Sequence, residues 1–355
     1  MGPYAVLTQA DPMDHDPSAS SHWPSPPAGG DRPAATLQWT GWLLGALALA
    51  ALAGVVLRRG EVERFLDLLG SLAPAWLGLA VVLQATTYAC VATAWWLGLD
   101  RAGAPRSWRS LIGLSVAKLF VDQSVPTGGI GGTAFLVGVL ARQGVPRPAC
   151  MAALMTNFIG FHGAYLLSAL AGMGLLWLRH DARPWMTTVT VVFVMVAAAA
   201  PLALFALHHY GRRAPAWLER LPGVTALLDA AAAAPMGRLL RRGRLLAATA
   251  GLNLAVIATD AATLWTMLQA LGLHASYGVA YPSFLLAMMV ATVSPIPMGL
   301  GTFEAASVAA LSMQGVPIEG ALAGTLLLRG CTTWLPMIPG LWLARRALHG
   351  RRGEA

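Results

Sequence analysis

Apolar residues along the chain fall in long, nearly unbroken blocks, and those blocks set the predicted architecture. Blocks at 37–57, 72–97, 149–178, 185–207, 245–271 and 321–343 each meet the roughly 20 residues a helix needs to cross about 30 Å of hydrocarbon. They predict six spanning helices. Two further blocks, 111–140 and 283–311, are interrupted halfway. Pro126, Gly128, Gly129, Gly131 and Gly132 break the first, and Pro295, Pro297, Gly299 and Gly301 break the second. Non-helical backbone is prohibitively costly against lipid, so both breaks must be covered by protein or line a wet cavity.

The two breaks resemble each other. Residues 126–146 (PTGGIGGTAFLVGVLARQGVP) and 297–317 (PMGLGTFEAASVAALSMQGVP) match without a gap at a constant offset, 126 falling on 297. The register pairs Pro126 with Pro297, Gly128 with Gly299 and the whole string 143–146 with 314–317. An odd number of spans, three, lies between the copies, so they enter from opposite faces. Inverted repeats with broken elements are a transporter architecture whose substrate sites lie where the repeats meet. The predicted fold is therefore an all-α polytopic membrane protein. It has about six spanning helices plus two re-entrant elements, 111–146 and 283–317, related as an inverted repeat. Two proline-kinked full spans packing through glycine remain the alternative, with about eight spans.

Composition agrees with a membrane domain over 37–345, since 56% of residues are apolar and 11% charged. The net charge of +8 does not indicate nucleic acid, because the arginines sit in short clusters at the ends of apolar blocks. With the N-terminus inside, seventeen arginines lie on the inner side against five outside, which by the positive-inside rule places both termini in the cytoplasm of a plasma or inner membrane. Residues 1–36, rich in Pro, Ser, Asp and Gly, predict a disordered cytoplasmic tail with no secretory signal. Residues 346–355 form a second tail. Between the arginines of 208–244, Trp217, Leu218, Leu221, Val224, Leu227 and Leu228 recur at helical spacing, as in an amphipathic helix on the inner surface; a solvated linker is the alternative.

Ionisable residues at membrane depth cost roughly 2.5–3.5 kcal/mol each, so each one needs a reason. Lys118, the only lysine, and Asp122 are four apart before the first break, where they either neutralise each other or border a polar route. Glu304 follows the second break and Arg329 lies in the last span, as a folding pair or as the lining of a cavity. Asp260, Asn157 and His162 suit helix–helix hydrogen bonds. Cys90, Cys150 and Cys331 have neither disulfide nor ligand spacing, and no metal site or cofactor is expected. The chain has no Gly-x-Ser-x-Gly elbow, Walker A loop or His-Glu-x-x-His, and the glycines at 128–132 open no βαβ unit. No enzyme activity is expected.

The strings DQSVPTGGIGGT at 122–133 and SPIPMGLGTFEAA at 294–306, the GVP after each, and Arg329 in LLLRG resemble the lysylphosphatidylglycerol synthase transmembrane family, the flippase-like domain proteins. The resemblance implies two re-entrant elements around a central cavity and transport of a polar-headed lipid between leaflets. Its best understood members carry aminoacylated phosphatidylglycerol, and relatives are linked to hopanoid or polyprenyl lipids. It implies a substrate path lined by Glu304, Arg329, Lys118, Asp122, Thr133 and Asn157. Thr133 stands where many members carry an acid, and the arginine that follows it there is missing, so the headgroup does not carry over. No aminoacyl-transferase domain follows the last span, and no synthase activity is expected. The alternatives are a non-transporting subunit that scaffolds a separate lipid- or glycan-modifying enzyme, and an ion-coupled transporter of a small solute. Expected partners are the lipid itself and either a second copy or that enzyme, with no nucleic acid.

Overall fold

A computed structural model describes residues 70, 72–124, 130–179, 184–210, 243–294, 296 and 299–349, all within one compact unit, Gln38–Ala355. The block 37–57, most of the loop 208–244, the tail 1–36 and residues 350–355 lie outside the described residues, while 346–349, expected to belong to the second tail, are the end of the last helix. The described residues form helices and turns only: α1 (Pro74–Arg101), α2 (Trp108–Ser124), α3 (Ile130–Arg142), α4 (Arg147–Leu178), α5 (Pro184–Tyr210), α6 (Gly243–Ala270), α7 (Tyr277–Val293), α8 (Thr302–Met313), α9 (Ile318–Arg329), a π-helical turn (Gly330–Trp334) and α10 (Met337–His349).

Among them α1, α4, α6 and the run Ile318–Leu348 are long and apolar enough to cross a membrane. Large apolar side chains point outward, with Leu178 81% and Ile338 77% exposed. So much outward apolar surface on one chain marks a surface meant for lipid rather than water. The chain is a polytopic helical membrane protein.

Small residues set the spacing of the helices. A Cβ added to Gly98 of α1 would stand 3.0 Å from Ala153 of α4, and one added to Gly324 of α9 would meet Leu268 of α6 at 2.7 Å. Backbones approach this closely in membranes through such residues, because lipid offers no hydrophobic drive between helices.

The α1–α6 pair is the axis of the bundle. Its helices are 28 residues each and run antiparallel, since the Ala73 amide at the start of α1 donates to the Ala270 carbonyl at the end of α6 at 3.2 Å. The helices that follow, α2 and α7, are 17 residues each and therefore set out from opposite ends of the bundle. At about 1.5 Å per residue neither reaches across the hydrocarbon core. Each is followed by a break and a short helix that packs back against it, α3 on α2 and α8 on α7.

Two contacts close these hairpins. Arg106, just before α2, donates from Nη2 to the Gln143 carbonyl just after α3, at 2.5 Å. Gln314, just after α8, donates from Nε2 to Ser283 Oγ in the second turn of α7 at 2.8 Å. Gln143 and Gln314 are the paired glutamines of the repeated string. In both segments, chain that leaves one end of the bundle returns to that same end.

The block 321–343 departs from the straight helix that its composition predicts. Between α9 and α10 the Leu335 amide reaches back to the Gly330 carbonyl at 2.8 Å, a π turn. Pro336 follows and has no N–H to continue the α ladder, so the wider turn absorbs the missing bond.

Candidate functional site

Among the described residues the most deeply buried charge is at the second break. Gly301, at φ +79°, turns the chain into α8 in a backbone region that glycine enters without strain. Three residues on, Glu304 Oε2 accepts from the Gly301 amide at 2.7 Å, and its other oxygen accepts from Arg329 Nε at 2.7 Å. The Glu304 side chain is 3% exposed and that of Arg329 15%. The Arg329 guanidinium also stands 4.8 Å from the Phe303 ring centroid, a cation–π contact. Arg329 is the last residue of α9, directly before the π turn. The carboxylate thus ties the end of the break to the point where the last span widens, and its charge favours the positive end of α8.

The first break has an equivalent built from different residues. Asp122 Oδ2 pairs with Lys118 Nζ at 2.6 Å within α2. Asp122 Oδ1 reaches past the break to the Gly132 amide in the first turn of α3, at 2.8 Å. Each break therefore carries one carboxylate that accepts from one cation and from one amide at or beside the start of the returning helix. At the second break the acid lies after the break and its cation comes from another span. At the first, both charges precede the break. Thr133 is half-buried beside Gly132.

The remaining predicted residues divide clearly. Gly299 lies at φ +61° with its amide donating to the Ile296 carbonyl at 3.0 Å, a closed turn before α8. Gly131 is inside α3. Pro126, Gly128, Gly129, Pro295 and Pro297 lie outside the described residues. Asn157 of α4 donates to the Ala153 carbonyl of its own helix at 3.4 Å, and His162 Nδ1 bonds Phe158 O at 2.8 Å. Neither is drawn to a break. Among the described residues, no three His, Cys, Asp or Glu side chains gather as metal ligands.

Asp260 makes the helix–helix hydrogen bonds expected of it. Its Oδ1 accepts from Gln84 Nε2 at 3.1 Å and from Thr87 Oγ1 at 3.2 Å, and Gln84 also donates to Thr263 at 3.0 Å. This network clamps α1 to α6 at mid-span. The Tyr88 hydroxyl next to it is buried with no hydrogen-bond partner among the described residues. The polar run 84–88 (QATTY) inside an otherwise apolar span was the signal for it.

A cavity of about 760 Å³ opens between α2, α3 and α10, with Arg109, Arg142 and Arg346 among its lining residues. It lies at the end of the bundle where α2 starts and α3 finishes, not between the two breaks. Sequence spacing could not assemble it, because its three arginines lie on three separate helices.

Residues 42–340 match the model of the lysylphosphatidylglycerol synthase TM region. No curated protein matches the chain.

Proposed function

The chain belongs to the lysylphosphatidylglycerol synthase transmembrane family, and from that premise we propose that it moves a polar-headed lipid between membrane leaflets. On this reading α2–α3 and α7–α8 are re-entrant hairpins of an inverted repeat that dip into the bilayer from opposite faces. The head of the lipid passes along the protein while its acyl chains stay in the membrane. The observation that carries the reading is the matched chemistry of the two breaks, Asp122 with Lys118 and the Gly132 amide against Glu304 with Arg329 and the Gly301 amide. Ionisable groups placed at membrane depth in this way are a functional expense, and the two sets sit on hairpins that start from opposite ends.

The end of the bundle that carries Arg101, Arg106, Arg109, Arg142, Arg147 and Arg346 faces the cytoplasm of the plasma or inner membrane, by the positive-inside rule. No lipid-synthesising chemistry is assigned to the chain. Phospholipids, aminoacyl-phospholipids, hopanoids and polyprenyl lipids are all admissible substrates at this level.

A leaflet-resolved assay tests the proposal. Full-length protein in vesicles should speed the loss of an outer-leaflet headgroup probe over protein-free vesicles. Folded protein that accelerates none of these lipid classes would refute transport. The packed, hydrogen-bonded α1–α6 seam would then favour the second reading, a membrane subunit that scaffolds a separate lipid- or glycan-modifying enzyme.

A further inference from the structure

We infer that the cavity between α2, α3 and α10 binds the phosphate of an anionic membrane lipid, with an acyl chain lying along its apolar wall. The argument begins with what surrounds the cavity. Arg109 is in the first turn of α2, Arg142 is the last residue of α3 and Arg346 is in the last turn of α10. Leu114, Val139 and Leu343 line the same cavity, and on their helices each lies toward the middle of the bundle from its arginine. A cationic rim over an apolar wall reproduces, within one cavity, the change from headgroup level to hydrocarbon.

Among the described residues the charge is one-sided: the lining includes three arginines and no Asp or Glu. Guanidinium forks match phosphate oxygens in geometry as well as charge. A volume of about 760 Å³ falls within the roughly 300–1,000 Å³ of small-molecule sites, enough for a phosphate head and the first part of a chain. Arg346 lies over the Trp342 ring at 5.4 Å, and a Trp–Arg pair at a helix end is the usual anchor at the membrane–water interface. The same three charges oppose a head of net positive charge, so an aminoacylated lipid is disfavoured here relative to its unmodified anionic parent.

This is a claim about binding, and it stands or falls apart from transport. A chain that held such a lipid but accelerated the movement of no lipid class would refute the transport reading and leave this one intact. The test uses the full-length chain in phosphatidylcholine bilayers containing graded phosphatidylglycerol. Lipid retained after extraction is measured by native mass spectrometry.

Phosphatidylglycerol should be retained in preference to phosphatidylcholine and to lysyl-phosphatidylglycerol. Replacing Arg109→Gln and Arg346→Gln should each weaken retention about fivefold. Gly113 also lines the cavity, and a Cβ there would meet only Leu343 at 3.6 Å. Gly113→Leu therefore fills the space without changing charge, and it should abolish the preference while the protein melts normally. Equal retention of the three lipids would overturn the inference, as would arginine variants that retain phosphatidylglycerol unchanged. Should millimolar inorganic phosphate displace the lipid completely, the site is one for free phosphate and the lipid assignment fails. These comparisons on the unaltered chain decide the matter even where a variant does not fold.

Discussion

The carboxylate of Asp122 stands 2.8 Å from the backbone amide of Gly132, ten residues further along the chain and on the far side of a proline–glycine break. That bond lets a short helix turn back beside its predecessor with its first-turn amide satisfied. It leaves no room for a side chain at Gly132, since a Cβ there would lie 2.5 Å from both the Asp122 carboxyl carbon and the Lys118 carbonyl. Gly132→Ala should therefore lower stability by about 1–3 kcal/mol, the usual cost of overpacking. Gly138, in the same helix, has nothing within 4 Å of such a Cβ, and Gly138→Ala should be neutral or slightly stabilising. Melting temperatures of the two variants in one detergent check the contrast.

Breaking the Glu304–Arg329 pair should be the most damaging single charge change. Glu304→Gln keeps an acceptor for the Gly301 amide but leaves Arg329 largely buried without its counter-charge, at roughly 3–5 kcal/mol. The double variant Glu304→Gln with Arg329→Gln should recover much of that stability and still fail to move lipid. Near-normal lipid movement by the double variant would remove both residues from the mechanism.

Asp260 offers a milder test. Asp260→Asn retains an oxygen for Gln84 and Thr87, so stability should change by under about 1 kcal/mol. Asp260→Leu orphans both donors, at about 1–3 kcal/mol for each buried group left unsatisfied. If thermal melts of the Asn and Leu variants coincide, the α1–α6 clamp contributes nothing.

At the second break, Gly299→Leu should abolish lipid movement while the protein still inserts. Its φ of +61° disfavours any side chain, and Ala291 occupies the space a Cβ would need. Unimpaired transport by this variant would mean that the turn before α8 has no part in the route.

The orientation is checked by labelling. In intact cells an impermeant thiol reagent should label His274→Cys, in the loop between α6 and α7, and spare Ser107→Cys, before α2. The reverse pattern would invert the assignment of faces.

The membrane class, the long apolar helices, the places where two apolar blocks are interrupted and the partners in both ion pairs were legible in the amino-acid sequence, because each depends on local quantities. Block length against bilayer thickness decides spanning, proline and glycine decide where a helix must stop, and an i, i+4 spacing placed Lys118 on Asp122. Glu304 and Arg329 were recognisable because a lone charge is so costly in hydrocarbon that each needs the other. What the tertiary structure alone decided depends on atoms distant in sequence. It joined Arg106 to Gln143 and Gln314 to Ser283, so that each hairpin returns to the end it left. It carried the Asp122 carboxylate across the first break to the Gly132 amide, a bond between residues on two different helices. It widened the last span ahead of Pro336, and it brought Arg109, Arg142 and Arg346 from three helices around one cavity. No periodicity within a single helix encodes that convergence, since only the packing of α2, α3 and α10 brings the three ends together.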